Sequence, residues 1–248
     1  MILELPKEIQ DILTVLENWD ELLEGFMTMM WLYVWALILG FIVGLIFAIL
    51  RQYGGVVLSR FATAYIEIIR GTPLLAQILI LYFLPYSLRI PIERWAFYTQ
   101  FNISGRTLTF IFLNPEILTG IIALGLNSAA YQAEYLRGAI TSVSTGQLLA
   151  AQSIGMSRRT GIIRIVLPQA LRRVIPSWSN EAAYLPKYTV VVWYIGVPEL
   201  FAKAHDLVYK KYLPAATFVV VAVMFLIMIT IISKLLDTVY KRTAIPGL

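Results

Sequence analysis

Asn127, Tyr131, Glu134 and Gly138 fall at i, i+4, i+7 and i+11, a spacing that puts them on one face of a helix. That face offers an amide, a phenol and a carboxylate in a row. Glu134 can meet an ammonium or guanidinium, while Asn127 and Tyr131 can donate to a carboxylate or amide. The same groups can instead hold helices together, with Glu134 paired to Arg137 or Arg70. Asn180 and Glu181 supply a second amide and carboxylate later in the chain, able to line the same cavity. Glu67 and Arg70 stand three apart beside the Gly71-Thr72-Pro73 break and read as a structural brace with Pro73. Catalysis and metal binding are not expected. There is no nucleophile–base pair or metal cluster, cysteine is absent, and the lone His205 beside Asp206 reads as a surface residue. No Gly-x-x-x-x-Gly-Lys-Ser/Thr turn occurs, so nucleotide phosphates have no cradle on this chain.

The elements that must position these residues are membrane spans. Only 14% of the residues are charged and mean hydropathy is +0.74, against about 25% charge in a soluble domain. Met27 to Leu50 carries no charge and is long enough, at about 1.5 Å per residue, to cross a hydrocarbon core of roughly 30 Å. Ala215 to Ser233 is a second such run, and Ile117 to Ala133 a shorter third. Phe61 to Leu84 is broken at Pro73, and Ile165 to Tyr184 is interrupted by Pro168 and Pro176. The expectation is an all-α membrane protein with five transmembrane helices. Charges inside such spans face protein or a cavity. The net charge of +5 reflects Lys and Arg flanking the spans and gives no reason to expect nucleic acid.

Arg51 and Arg60, the group Arg137, Arg158, Arg159, Arg164, Arg172 and Arg173, and the tail Lys234, Lys241 and Arg242 fall on one side if there are five spans. That side reads as cytoplasmic, with the N-terminus outside, the C-terminus inside and a short tail over 243–248. Residues 1–25 read as an amphipathic helix on the outer face, with Leu5, Ile9, Ile12, Leu16 and Trp19 on its apolar side. Residues 85–115 form a long polar-aromatic outer loop, and 186–214 a re-entrant or surface connection.

Between the spans sits a polar helical segment at about 144–160. Ser144 or Thr145 can cap it, Ala150, Ala151 and Ile154 make a small, smooth face, Gly155 ends it and Ser157 caps the next turn. Such a helix reads either as a lever gripped by a soluble partner or as a loop without one.

The segment resembles the cytoplasmic loop signature of membrane subunits of ATP-binding-cassette (ABC) importers. Ala150, Ala151, Gly155, Ile165, Leu167 and Pro168 fall on that pattern, with Leu149 where the family usually has glutamate. The branch for polar amino acids (histidine, glutamine, glutamate, arginine) is similar over roughly 26–242. The matching stretches are Glu67 to Leu75, Asn127 to Gly138, Gly155-Met156-Ser157, Leu167 to Arg172 and Ile195 to Leu200. The departures are a longer loop 85–115, Tyr188 where aspartate is common, and Glu181 where an amide is usual.

The resemblance implies a type I ABC importer permease fold with a permease domain at 26–242, in the cell (inner) membrane. It implies a pathway for polar or charged amino acids through Asn127, Tyr131, Glu134, Asn180 and Glu181, whose mixed polarity suits a zwitterion. The coupling residues it implies are Ala150, Ala151, Ile154, Gly155, Met156, Ser157, Leu167 and Pro168. The implied partners are ABC ATPase subunits carrying ATP and Mg, a second permease subunit, identical or homologous, an extracellular solute-binding protein, and membrane lipid. No cofactor is implied on this chain. The competing reading is an ion-coupled secondary amino acid transporter with Glu67 and Glu134 as proton sites.

Overall fold

The computed structural model describes residues 6–91 and 93–243. Leu5 and the tail beyond Thr243 lie outside the described residues. In chain order the elements are helices α1 (Lys7–Leu16), α2 (Trp19–Tyr53), α3 (Gly55–Gly71) and α4 (Leu74–Ser87), then strands β1 (Phe97–Ile103) and β2 (Arg106–Leu113). Helices α5 (Pro115–Ser142), α6 (Thr145–Ser153), α7 (Arg158–Gly161), α8 (Leu167–Arg173), α9 (Ile175–Tyr188), α10 (Leu200–Lys211) and α11 (Pro214–Thr243) follow. A π-helical turn, Ile162–Val166, precedes α8, and a 3₁₀ segment, Thr189–Ile195, follows α9. Among the described residues, α2 and α11 are long and apolar enough to cross a membrane, and α3 with α4 pass together as a bent pair. α5 and α9 carry four of the buried polar residues, Asn127, Ser128, Gln132 and Glu181.

The chain divides into two compact units. Among the described residues the first comprises 6–36, 73–91, 93–124 and 185–230. Here α1 stops at Leu16 and α2 begins at Trp19, so no element boundary falls at residue 25, where the amphipathic segment was expected to end. The acidic residues of the first turns of α2 are paired. Asp20 accepts from Arg106 at 2.5 Å and Glu21 from Lys210 at 2.8 Å. Glu24 accepts the Thr109 backbone N–H on one oxygen and Lys203 on the other, both at 2.6 Å. One carboxylate thus ties α2 to β2 and α10. The long polar-aromatic stretch 85–115 holds an antiparallel hairpin. Ser104 and Gly105 both take positive φ (53° and 79°), the geometry that turns a right-twisted two-residue hairpin. Trp31 packs edge-on against Phe110 and Phe112 of β2. His205 packs against Trp193 and Tyr209.

Glu199 is wholly buried and caps α10, accepting from the backbone N–H of Phe201 (2.9 Å) and Ala202 (2.8 Å). Burial pushes its carboxyl up to about 7, against the pull of those two donors. Between its ordinary value near 4.5 and about 7 the folded chain therefore holds a proton that the unfolded chain has released. This group's contribution to stability is greatest below that window and falls as pH rises through it. Glu199→Gln is expected to remove that slope. Melting curves at pH 5 and pH 8 should show a smaller loss in the variant than in the wild type.

Among the described residues the second unit comprises 37–72, 125–184 and 231–243. Its core joins Ala48 of α2, Leu136, Ala139, Ile140 and Val143 near the end of α5, and Val166, Ala170 and Val174 around α8. Gly40 and Gly44 let α2 approach α5 closely. A Cβ at Gly44 would lie 2.9 Å from the Ala129 carbonyl, and one at Gly40 2.5 Å from Gln132 Nε2. This is small-xxx-small packing, which lets helices meet without bulky side chains between them. Pro168 has no N–H to give to a helical carbonyl, and the π turn just before it takes up the mismatch.

Candidate functional site

Within the second unit, α5 and α9 bury a line of hydrogen-bonded side chains. Trp178 Nε1 donates to Gln132 Oε1 (2.7 Å), Gln132 Nε2 donates to Ser128 Oγ (3.0 Å), and Ser128 Oγ donates to Glu181 Oε1 (2.6 Å). The direction is forced. An indole N–H only donates, so it takes the Gln132 oxygen and turns the amide nitrogen towards Ser128. Ser128 Oγ then accepts from the amide and has its own proton left for Glu181. The carboxylate is therefore held as an acceptor, and its other oxygen has no protein donor among the described residues. Glu181 is 4% exposed. A buried acceptor of this kind suits a ligand N–H, above all a cationic one.

A charged cluster lies in the same unit. Glu134 receives Arg51 at 2.6 Å on one oxygen and Arg137 at 2.5 Å on the other. A ligand ammonium at Glu134 would have to displace a guanidinium, so the bracing alternative describes its present contacts. The Glu67–Arg70 pair expected from sequence does not form. Glu67 lies 3.6 Å from Arg51, and the Arg70 guanidinium sits 5.4 Å above the Tyr131 ring. Each side chain instead turns to a partner on a neighbouring helix, Glu67 to Arg51 of α2 and Arg70 to the Tyr131 ring of α5. Pro73 is the N-cap residue of α4, at φ −62° and ψ 132°.

Asn127 is buried on α5. Asn180 is exposed, one residue away from the buried Glu181, as a 100° step round a helix requires. The structure therefore brings Glu181 to the Ser128 line and leaves Asn180 off it. Arg51, Ser128, Gln132 and Trp178 were missed in the sequence. A usable signal existed for two of them: Ser128 and Gln132 are polar residues at i, i+4 inside an apolar run.

The polar segment folds as α6 and α7. Ser144 caps α6 by accepting from Gly146 N. The helix closes with Gly155 at φ +89°, Gly155 N bonding to Gln152 O (2.9 Å) and Met156 N to Ala151 O (3.0 Å). This is a Schellman ending, which needs a residue without a Cβ at the left-handed position. Ser157 caps α7 through Thr160 N. Ala151 is buried towards Gly161, where a Cβ would lie 2.8 Å from Leu148 Cδ1. The outward face is therefore Ala150 with Leu149 (62% exposed) and Ile154 (77% exposed), larger than the small, smooth one expected. Leu167 is half-buried and Pro168 exposed.

The family model described as "Binding-protein-dependent transport system inner membrane component" matches residues 21–244. The nopaline transport system permease protein of Agrobacterium fabrum is 31% identical over 225 residues, covering 91% of this chain and 88% of its own. The glutamine transport system permease protein of Escherichia coli is 30% identical over 225 residues, covering 90% and 93%. A crystal structure of an amino acid ABC transporter with histidines superposes with a TM-score of 0.77 at 27% identity, covering 93% of this chain and 98% of that one. The chain thus belongs to the family of binding-protein-dependent transport system inner membrane components.

Proposed function

We propose that this chain is the pathway-forming subunit of an ATP-driven importer for polar or charged amino acids. The observation that carries the reading is α6, a well-capped polar helix in a membrane protein that displays Leu149 and Ile154 outward. Exposed apolar side chains on such a helix fit a groove on a soluble partner. The partner is an ABC ATPase that holds ATP and Mg, since this chain has no phosphate cradle. Nucleotide binding closes the ATPase pair, draws two such helices together and opens the spans outward, and hydrolysis resets them. Two permease chains lie side by side, and a solute-binding protein delivers substrate to the outer loops. The N-terminus is outside and the C-terminus cytoplasmic. Support for the amino acid cargo is the wording of the relatives' names, which give nopaline and glutamine.

The pathway uses Asn127, Tyr131, Asn180 and Glu181, with Glu134 as a latch between two arginines. Glu181 favours cationic side chains. Ion coupling through Glu67 and Glu134 is not favoured, because both carboxylates already stand beside arginine guanidiniums.

Ile154→Glu tests the coupling. The side chain is exposed, so the chain should fold and elute normally. The ATPase purified with its membrane subunits is expected to co-elute at least tenfold less, with uptake lost in proportion. Unchanged co-elution and uptake would remove α6 from the docking role.

A further inference from the structure

The second unit has a cavity of about 500 Å³ between the last turns of α2 and the start of α7 with its π turn. Its walls are Ile49, Leu50, Ile162 and Ile163, with Tyr53, Arg158 and Arg159 also lining it. The Arg158 guanidinium lies 5.9 Å from the Tyr53 ring centre. Neither Arg158 nor Arg159 has an ion-pair partner among the described residues, whereas Arg51, Arg106 and Arg137 all do. Ile163 is 64% exposed. The apolar run of α2 ends at Leu50, so the cavity straddles the point where hydrocarbon gives way to the interface.

From this we infer that the cavity is a binding site for an anionic phospholipid. The headgroup phosphate sits between Arg158 and Arg159, and an acyl chain runs along Ile49, Ile162 and Ile163. The charges decide the headgroup. Two unpaired guanidiniums attract a phosphate that carries net charge, and a zwitterionic headgroup cancels most of that attraction. The walls decide the source. A free phosphate gains nothing from isoleucines, and a soluble protein docking here would have to bury side chains on the flank of a span that faces lipid. Tyr53 adds an amphipathic ring of the type found at membrane interfaces. Its two arginines open α7, the second half of the coupling segment, but the site shares none of the exposed apolar residues of α6. The inference does not depend on which substrate is carried.

Native mass spectrometry of the full-length chain, released from nanodiscs of mixed phosphatidylglycerol and phosphatidylcholine, tests it. Wild type should retain phosphatidylglycerol selectively. The double variant Arg158→Gln/Arg159→Gln should retain about 25-fold less, each basic residue near a membrane surface being worth about fivefold. Arg158→Lys/Arg159→Lys should keep most of the retention, which separates charge from folding. Ile163→Glu, exposed and away from the arginines, should also lose the lipid. Equal retention of both lipids by wild type would overturn the site. So would displacement by millimolar inorganic phosphate, which would mark a free-anion site. If the Gln variants keep phosphatidylglycerol but no longer co-elute with the ATPase, the arginines serve protein docking and the lipid assignment fails. Selective retention lost in the Gln variants, with ATPase co-elution intact, establishes it independently of the coupling role of α6.

Discussion

Glu181→Gln in the fully assembled transporter is expected to lower the ratio of arginine to glutamine uptake by about 30-fold or more. The local structure makes this substitution unusually clean. A glutamine side chain can accept the Ser128 hydrogen bond through Oε1 just as the carboxylate does, so the Trp178–Gln132–Ser128 line is retained. What changes is the other end of the side chain. An oxygen that accepts becomes an NH2 that donates, and a negative charge is lost. Losing one partner of a buried, hydrogen-bonded charge pair costs about 2–5 kcal/mol, and about 1.4 kcal/mol is a factor of ten. The neutral substrate loses no charge pair, so the ratio moves rather than the total. Ser128→Ala offers a second view of the same site. It leaves the carboxylate charge but removes its donor, and should weaken uptake of both substrates with a smaller change in ratio. An uptake ratio unmoved by Glu181→Gln would take Glu181 out of the pathway.

Gly44→Leu is expected to prevent the chain from reaching a stable fold. A Cβ at that position meets the Ala129 carbonyl at 2.9 Å, Gln132 Cβ at 3.0 Å and the Ala133 nitrogen at 3.1 Å. Two of those three are backbone atoms of α5, which cannot swing aside as a side-chain tip can. The helices must separate, and the core of the second unit opens with them. Even modest overpacking costs about 1–3 kcal/mol, and four added carbons against backbone exceed that. Total stabilities are only about 5–15 kcal/mol. The readout is the yield of monodisperse protein and its melting temperature. Gly138→Ala on α5 is the control. Nothing lies within 4 Å of its Cβ, and alanine is the better helix former by about 1 kcal/mol, so that variant should melt at or above wild type. A Gly44→Leu chain that is monodisperse with an unchanged melting temperature would show that α2 and α5 do not need this contact.

Much of the coupling segment could be read in one dimension, because its determinants are local. Ser144, Gly155 and Ser157 act on their own helix ends, and cap geometry depends on residues two to five positions away. The hairpin in 85–115 was also locally encoded. Ser104-Gly105 sits between runs rich in Phe, Ile and Thr, a strand signal diluted by the polar residues around it. Which face of α6 looks outward was not local. Ala151 turns inward, beside Leu148, onto Gly161 of α7, where no Cβ stands in the way.

The amino-acid sequence by itself determined the membrane class, the existence of the spans, the polar helix between them and the family. Each rests on composition, run length or short-range spacing, which survive without coordinates. Only the tertiary structure decided the partners of the charged and polar side chains. Arg51 reaches Glu134 across 83 positions, Ser128 reaches Glu181 across 53, and Trp178 reaches Gln132 across 46. A hydrogen bond is made at about 3 Å in space, whatever the separation along the chain. Helix packing, set here by Gly40 and Gly44, chooses which of several chemically equivalent partners comes within that distance.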